Sequence, residues 1–161
     1  ARHVGPTGLV IAIEPHPVTH ARLAFNRDAS ALPQVKLFAV AAGDSDGEVM
    51  IETDGVNLGA SHIVVGAAGS EAIKVPSLRL QAILEQAGAT RIDALKIDVE
   101  GFEDRVLTCF FRHAPDLLWP RAVVIEHLSR DEWQNDCLAD MIGRGYREIG
   151  RTRSNTLLLR G

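Results

Sequence analysis

Cysteine is scarce: Cys109 and Cys137 are the two present in 161 residues. They form no CxxC pair and join no cluster of metal-ligand spacing, so no metal site is assigned. Both lie in helix-like stretches, and two free thiols suit a reducing cytoplasm. Aromatic residues make up 5% of the chain and Lys and Arg gather into no basic run, which excludes a nucleic-acid footprint. No apolar run approaches the length needed to span a bilayer, and no signal peptide is visible. The expectation is a cytoplasmic protein that engages neither membrane nor nucleic acid; its oligomeric state is left open. No repeat, low-complexity segment or composition shift divides the chain, so residues 1–161 read as one domain of mildly acidic charge, −4.

What the chain does have is a strand that turns abruptly acidic. In Ala94-Leu95-Lys96-Ile97-Asp98-Val99-Glu100-Gly101, Leu95, Ile97 and Val99 share one side. Ala94, Lys96, Asp98 and Glu100 share the other. A strand of a parallel sheet packed on both faces should be apolar throughout. Acids at its C-terminal edge therefore indicate a ligand crevice, because open α/β sheets bind ligands there. Gly101 supplies a turn, and a helix follows through Val106, Leu107 and Phe110 to Pro115. Glu103 and Asp104 fall in its first turn, where carboxylates offset the positive end of the dipole. Lys96 is expected to be a buried partner of a neighbouring carboxylate, since an unpaired ammonium inside a sheet is costly.

The rest of the chain repeats this design. Gly8 to Pro15 is a short apolar run closed by Glu14 and Pro15, a buried parallel strand, and Gly5-Pro6-Thr7-Gly8 before it reads as the end of a helix. Pro17 suits the first turn of a helix with Val18, Ala21 and Phe25 on one side. Val35 to Ala42 is the next strand, and Gly43 to Gly47 a loop. Glu48 to Thr53 is an outer strand, and Asp54-Gly55 a hairpin or loop signal. Residues 57–69 read as loop with a short strand at Ile63-Val64-Val65. Ile73 to Leu78 is extended around Pro76, which suggests an edge. Leu80, Ile83, Leu84 and Ala87 mark a helix ended by Gly88. Arg121 to His127 is a third strand that ends in an acid. Ser129 with Glu132 matches a capping box opening a helix with Trp133, Cys137, Leu138, Met141 and Ile142 on one face. Tyr146–Ile149 and Asn155–Leu159 form a final antiparallel hairpin.

Ile13-Glu14, Ile97-Asp98 and Ile125-Glu126 thus end three strands alike. Alternating β and α with acids along one edge is a doubly wound, Rossmann-like α/β fold, mostly parallel with a C-terminal antiparallel hairpin. An acid ending the second strand of such a fold often accepts hydrogen bonds from a ribose diol; the other reading of Glu14 is a cap for the helix after it.

The runs Val10-Ile11-Ala12-Ile13-Glu14-Pro15, Leu95-Lys96-Ile97-Asp98-Val99-Glu100-Gly101 and Glu126-His127 resemble those of the FkbM family of S-adenosylmethionine-dependent methyltransferases. The resemblance runs from about residue 8 to residue 127. It implies a seven-stranded sheet and O-methylation of a hydroxyl on a sugar, polyketide or other small molecule. Glu14 would hold the ribose hydroxyls of S-adenosylmethionine. Ala41 and Ala42 would lie against the adenine, and Asp98 near the methionine part and the acceptor. Two departures stand out. Leu80 is followed by Gln81 where such proteins often carry Asp. The glycine-rich motif of the family's first strand is also absent. The expectation is an N-terminally incomplete domain whose first strand is missing, with Val10–Ile13 and Leu95–Asp98 parallel but not hydrogen-bonded to each other.

For the chemistry, the cofactor carries the reactive methyl, and the protein contributes chiefly position. A base that takes the hydroxyl proton adds rate. Candidates are Asp98, Glu100 and His127; a surface loop histidine is the other reading of His127. In a variant, Asp98 and Glu126 share one Mg²⁺ with a hydroxylate. Two competing classes are a nucleotide- or dinucleotide-binding enzyme on the same fold and a non-catalytic binding domain.

Overall fold

The computed structural model describes residues 1–54, 57–66 and 69–161, with the backbone alone at 54 and 57–60. After a 3-10 turn at Arg2–Val4, strand β1 (Val10–Ile13) leads into helix α1 (Pro17–Ala29) and strand β2 (Val35–Phe38). Pro17 occupies the first helical turn, where its missing N–H costs nothing. β1 and β2 pair in parallel from Val10↔Val35 to Ile13↔Phe38.

A second sheet follows, in the order β3 (Ala41–Gly43), β6 (Ile73–Arg79), β4 (Gly47–Asp54), β5 (Asn57–Ile63). Helix α2 (Leu80–Ala87) leaves its end. Its Leu80, Ile83, Leu84 and Ala87 are all buried, and Gly88, at φ 71°, closes it in the left-handed region glycine favours. The third sheet runs β7 (Ala94–Ile97), β8 (Ala122–Glu126), β10 (Asn155–Arg160), β9 (Tyr146–Arg151). Helix α3 (Glu103–His113) joins β7 to β8, and α4 (Cys137–Gly143) joins β8 to β9. Val106, Leu107 and Phe110 of α3 meet Ile83 of α2, Ile125 of β8 and Met141 of α4 in the main core. Each such side chain contributes about 1.5–3 kcal/mol on leaving water. No helix among the described residues is long and apolar enough to cross a membrane.

The mixed α/β fold and the C-terminal antiparallel hairpin are as expected, but the sheet is not one mostly parallel layer. Of seven ladders among the described residues, four are antiparallel. Val35 to Ala42 is not one strand: the backbone breaks at Ala39 and bends at Val40, so β2 and β3 belong to different sheets. Pro76 is not at an edge, since β6 lies between β3 and β4. It is tolerated because β3 runs beside β6 only from Ser77 onward, so Pro76 has a strand partner on one side, Glu48. Residues 57–63 form a full strand against β4; Gly55 of the expected turn lies outside the described residues.

Ser129 and Glu132 form no capping box. They bracket a 3-10 turn, and α4 starts later, where Asp136 Oδ1 accepts the N–H groups of Leu138 and Ala139 at 3.1 Å each. Ile142 is 53% exposed rather than on the buried face. The expected apolar side of α1 is open as well: no residue of this helix is buried, and Phe25 is 71% exposed.

Candidate functional site

No ladder joins β1 to β7. Between them lies a cavity of about 510 Å³ walled by all of Val10–Ile13 and all of Ala94–Ile97. A strand turned face-on would present every second residue. Consecutive residues on both walls mean that the cavity runs between two strand edges. A larger hollow, about 740 Å³, lies on the outer side of α1 around Val18 and Phe25, and none of the acids that end the strands reaches it.

The two ends of the first cavity differ in chemistry. Val10, Ile11, Leu95 and Ile97 make its strand-lined part apolar, and Glu14, Asp98 and Glu100 line its other end. Glu14 follows the last pair of β1, with its N–H on Phe38 O at 3.0 Å. Its Oε1 accepts the N–H of His16 at 2.8 Å, at the start of α1. This carboxylate thus ties down His16 just ahead of α1 and also lines the cavity. Ala41 and Ala42, 2% and 9% exposed, add a wall of small apolar groups.

Across the cavity the chain leaves β7 through Asp98 and Val99 into a tight turn. Glu100 and Gly101 both adopt positive φ, 50° and 91°. At Gly101 the positive φ favours glycine, and a Cβ would also stand 2.7 Å from Oε2 of the exposed Glu132 side chain, which would have to move aside. Glu103 holds the turn closed. Its Oε1 accepts the N–H of Val99 at 2.7 Å, and its Oε2 accepts those of Gly101 at 3.1 Å and of the Trp133 indole at 3.0 Å. Asp104 Oδ2 accepts the N–H groups of Gln134 and Asn135 at 2.8 and 3.0 Å. Both acids lie in the first turn of α3, as the sequence predicts, and, being fully buried, they also anchor the loop after β8. The signal was present: Glu103 lies three and four residues before Val106 and Leu107, on the helix's apolar stripe.

Lys96 does pair with a carboxylate, Asp98 Oδ2 at 2.5 Å, but its side chain is 56% exposed rather than buried. Glu100 is half-buried, and burial first, then the charges of Asp98, Glu126 and Glu103, push its carboxyl above the ordinary range. Burial likewise raises Glu103. β8 pairs with β7 in parallel, as the shared plan of these strands requires, which brings Glu126 to the same edge as Asp98. His127, the remaining base candidate, does not line the cavity. Its N–H donates to Ser154 O, and its ring Nδ1 lies 3.0 Å from Thr156 Oγ1. The structure thus brings Glu14, Ala41, Ala42, Asp98 and Glu100 to one cavity and leaves His127 beside it.

This architecture and these residues have relatives. The family description "Methyltransferase FkbM domain" matches residues 1–147. The fold is similar to a crystal structure of Methyltransferase FkbM from Methylobacillus flagellatus KT, at a TM-score of 0.53 and 16% identity. The likeness covers 93% of this chain and 36% of that one, so the chain spans about a third of the length of its structural relative. No curated protein matches the sequence.

Proposed function

Because the chain belongs to the FkbM methyltransferase family, we propose that it is part of an enzyme transferring a methyl group from S-adenosylmethionine to a hydroxyl of a small molecule, sugar or polyketide. The observation that carries the reading is the convergence of Glu14, Ala41, Ala42, Asp98 and Glu100 on one cavity. A carboxylate is an acceptor only and suits a ribose diol; Glu14 has that role. Two alanines leave a flat apolar surface for a purine. When bound, S-adenosylmethionine supplies a methyl group on a sulfonium, already activated for displacement.

The chain's own residues then bind, orient and take a proton. Asp98 and Glu100 stand where an acceptor hydroxyl would enter. Glu100 serves as the base: burial and the neighbouring carboxylates raise its carboxyl, so it holds a proton better than an ordinary glutamate does. Asp98, tied to Lys96, positions.

The apolar part of the cavity has a separate explanation. We propose that these residues belong to a longer methyltransferase domain in which a further strand lies between β1 and β7. Adjacent strands sit about 4.8 Å apart, so one intervening strand separates its neighbours by roughly 10 Å. It would satisfy the inward N–H and C=O groups of both edges, which are otherwise costly to leave unpaired. Its C-terminal end would approach Glu14 and Asp98, leaving the acidic end of the cavity for ligand.

Calorimetric titration of the full-length protein with S-adenosylhomocysteine tests the reading. Binding is expected, and an absence of binding sinks it. Binding by residues 1–161 alone as tight as by the longer protein would overturn the intervening strand.

A further inference from the structure

At the acidic end of the cavity, carboxylate oxygens of Asp98, Glu103 and Glu126 lie within 4.8 Å of one another. Like charges this close repel unless a proton or a cation intervenes. The nearby cation, Lys96, is held by Asp98 Oδ2 at the exposed side. Glu100 adds a fourth carboxylate to the same edge. A second observation concerns Glu126, which is 6% exposed. Its Oε1 accepts the N–H of Leu128 at 2.6 Å. Its Oε2 is shut off from solvent and makes no hydrogen bond among the described residues. A buried carboxylate oxygen without a partner is costly, and this is the oxygen that Glu126 has free for the cluster.

We propose that Asp98, Glu103 and Glu126 form a binding site for a divalent cation of calcium size. Two oxygens on one ion can stand no further apart than twice the metal–oxygen distance. That limit is about 5.2 Å for Ca²⁺ and about 4.2 Å for Mg²⁺. A set confined within 4.8 Å stays inside the limit for Ca²⁺. Glu126 gives its free Oε2. Asp98, whose side chain is 41% exposed, opens the site to incoming ions. Glu103 turns its lone pairs to Val99, Gly101, Trp133 and its own backbone N–H, so it adds negative charge beside the ion more than a free ligand oxygen. The elements are rigid for the purpose: β7 and β8 are paired, and Glu103 is fully buried. The ion would neutralise the acidic end of the cavity. Any action on an acceptor hydroxyl there rests on the methyltransferase reading; the ion's binding does not.

The test is calorimetric titration of the full-length protein with CaCl₂, without cofactor or acceptor, so that it can fail independently of methyl transfer. The expected result is one saturable site. Asp98→Asn and Glu126→Gln should each weaken it roughly tenfold or more, since affinity follows the number of charged ligands. Asp93→Asn, an exposed acid paired with Arg91, should leave it unchanged. Circular dichroism checks folding, and if Glu126→Gln fails to fold, the exposed Asp98→Asn decides. Absence of saturable Ca²⁺ binding, or equal binding by wild type and Asp98→Asn, overturns the proposal.

Discussion

The indole Nε1 of Trp133 donates to Oε2 of Glu103 at 3.0 Å, across thirty residues of sequence. This one bond joins the turn after β7 to the loop after β8, and so joins the two strand ends that carry Asp98 and Glu126. The groups that Val99, Gly101 and Trp133 turn to the Glu103 carboxylate are all N–H donors. Glu103→Gln preserves shape but sets an amide NH₂ against at least one of them. Unfolding in urea should show a loss of about 1–3 kcal/mol, the cost of a buried group left unsatisfied. Trp133→Phe should cost a similar amount, and a double-mutant cycle should give clear coupling between the two.

Glu14→Ala in the full-length protein should weaken binding of S-adenosylhomocysteine by about 1–3 kcal/mol, the range for a hydrogen bond to a charged group. Its effect on folding should be smaller, because the carboxylate is not buried and the N–H it accepts, that of His16, lies just ahead of the helix. Titration calorimetry alongside thermal unfolding separates the two effects. Unchanged affinity would remove Glu14 from the ribose.

Helix α4 distinguishes two caps. Asp136→Ala should destabilise by about 1 kcal/mol, since its carboxylate serves two first-turn N–H groups. Ser129→Ala should be nearly silent, because no side-chain cap bond is made there. Equal losses in a denaturant titration would contradict the assignment.

Glu100 provides a pH signature. Its carboxyl is raised above the ordinary value of 4.5 by burial and by Asp98, Glu126 and Glu103. The folded state therefore holds this proton more tightly than the unfolded state does. The stabilising contribution is complete below the unfolded pKa and is lost as pH rises through the folded one. Glu100→Gln should raise the melting temperature at pH 7 in metal-free buffer. The gain should shrink as pH falls through the raised folded-state pKa and be gone below about 4.5, where Glu100 is neutral in both states. A gain that grows on acidification would show the reverse shift.

The parts of the fold that were legible in the sequence are those decided locally. Leu80, Ile83, Leu84 and Ala87 followed by Gly88 define α2 through side-chain period and one left-handed residue. The Ile–acid strand ends mark the edge where Glu14, Asp98 and Glu126 emerge. What failed depends on neighbours distant in sequence. Pro76 looks like an edge residue until the short reach of β3 is known. Nothing in the residue types at Ala39 and Val40 announces that β2 and β3 part there. Ser129 has the right spacing for a capping box, but Asp136 lies nearer the α4 core residues Cys137, Leu138 and Met141. The role of Glu103 needed Trp133, which only folding brings to it. His127 follows an acid at the right edge, yet its ring turns to Thr156 of β10.

The cavity's two walls are anchored unequally. Residues Val10–Ile13 are half-buried and paired with one strand, and α1, which follows them, buries none of its residues. The opposite wall backs onto α3 and β8, where Leu107 and Ile125 are 0% exposed. Amides of β1 should therefore exchange with solvent through a local opening far cheaper than global unfolding, while those around Ile125 should report the whole fold. Glu14 rides on the looser piece and Asp98 on the firmer one. A ligand that bridges them must order the first against the second, so its affinity will be set as much by that ordering as by its contacts, and its arrival should slow exchange in β1 and α1 before it alters anything in the core.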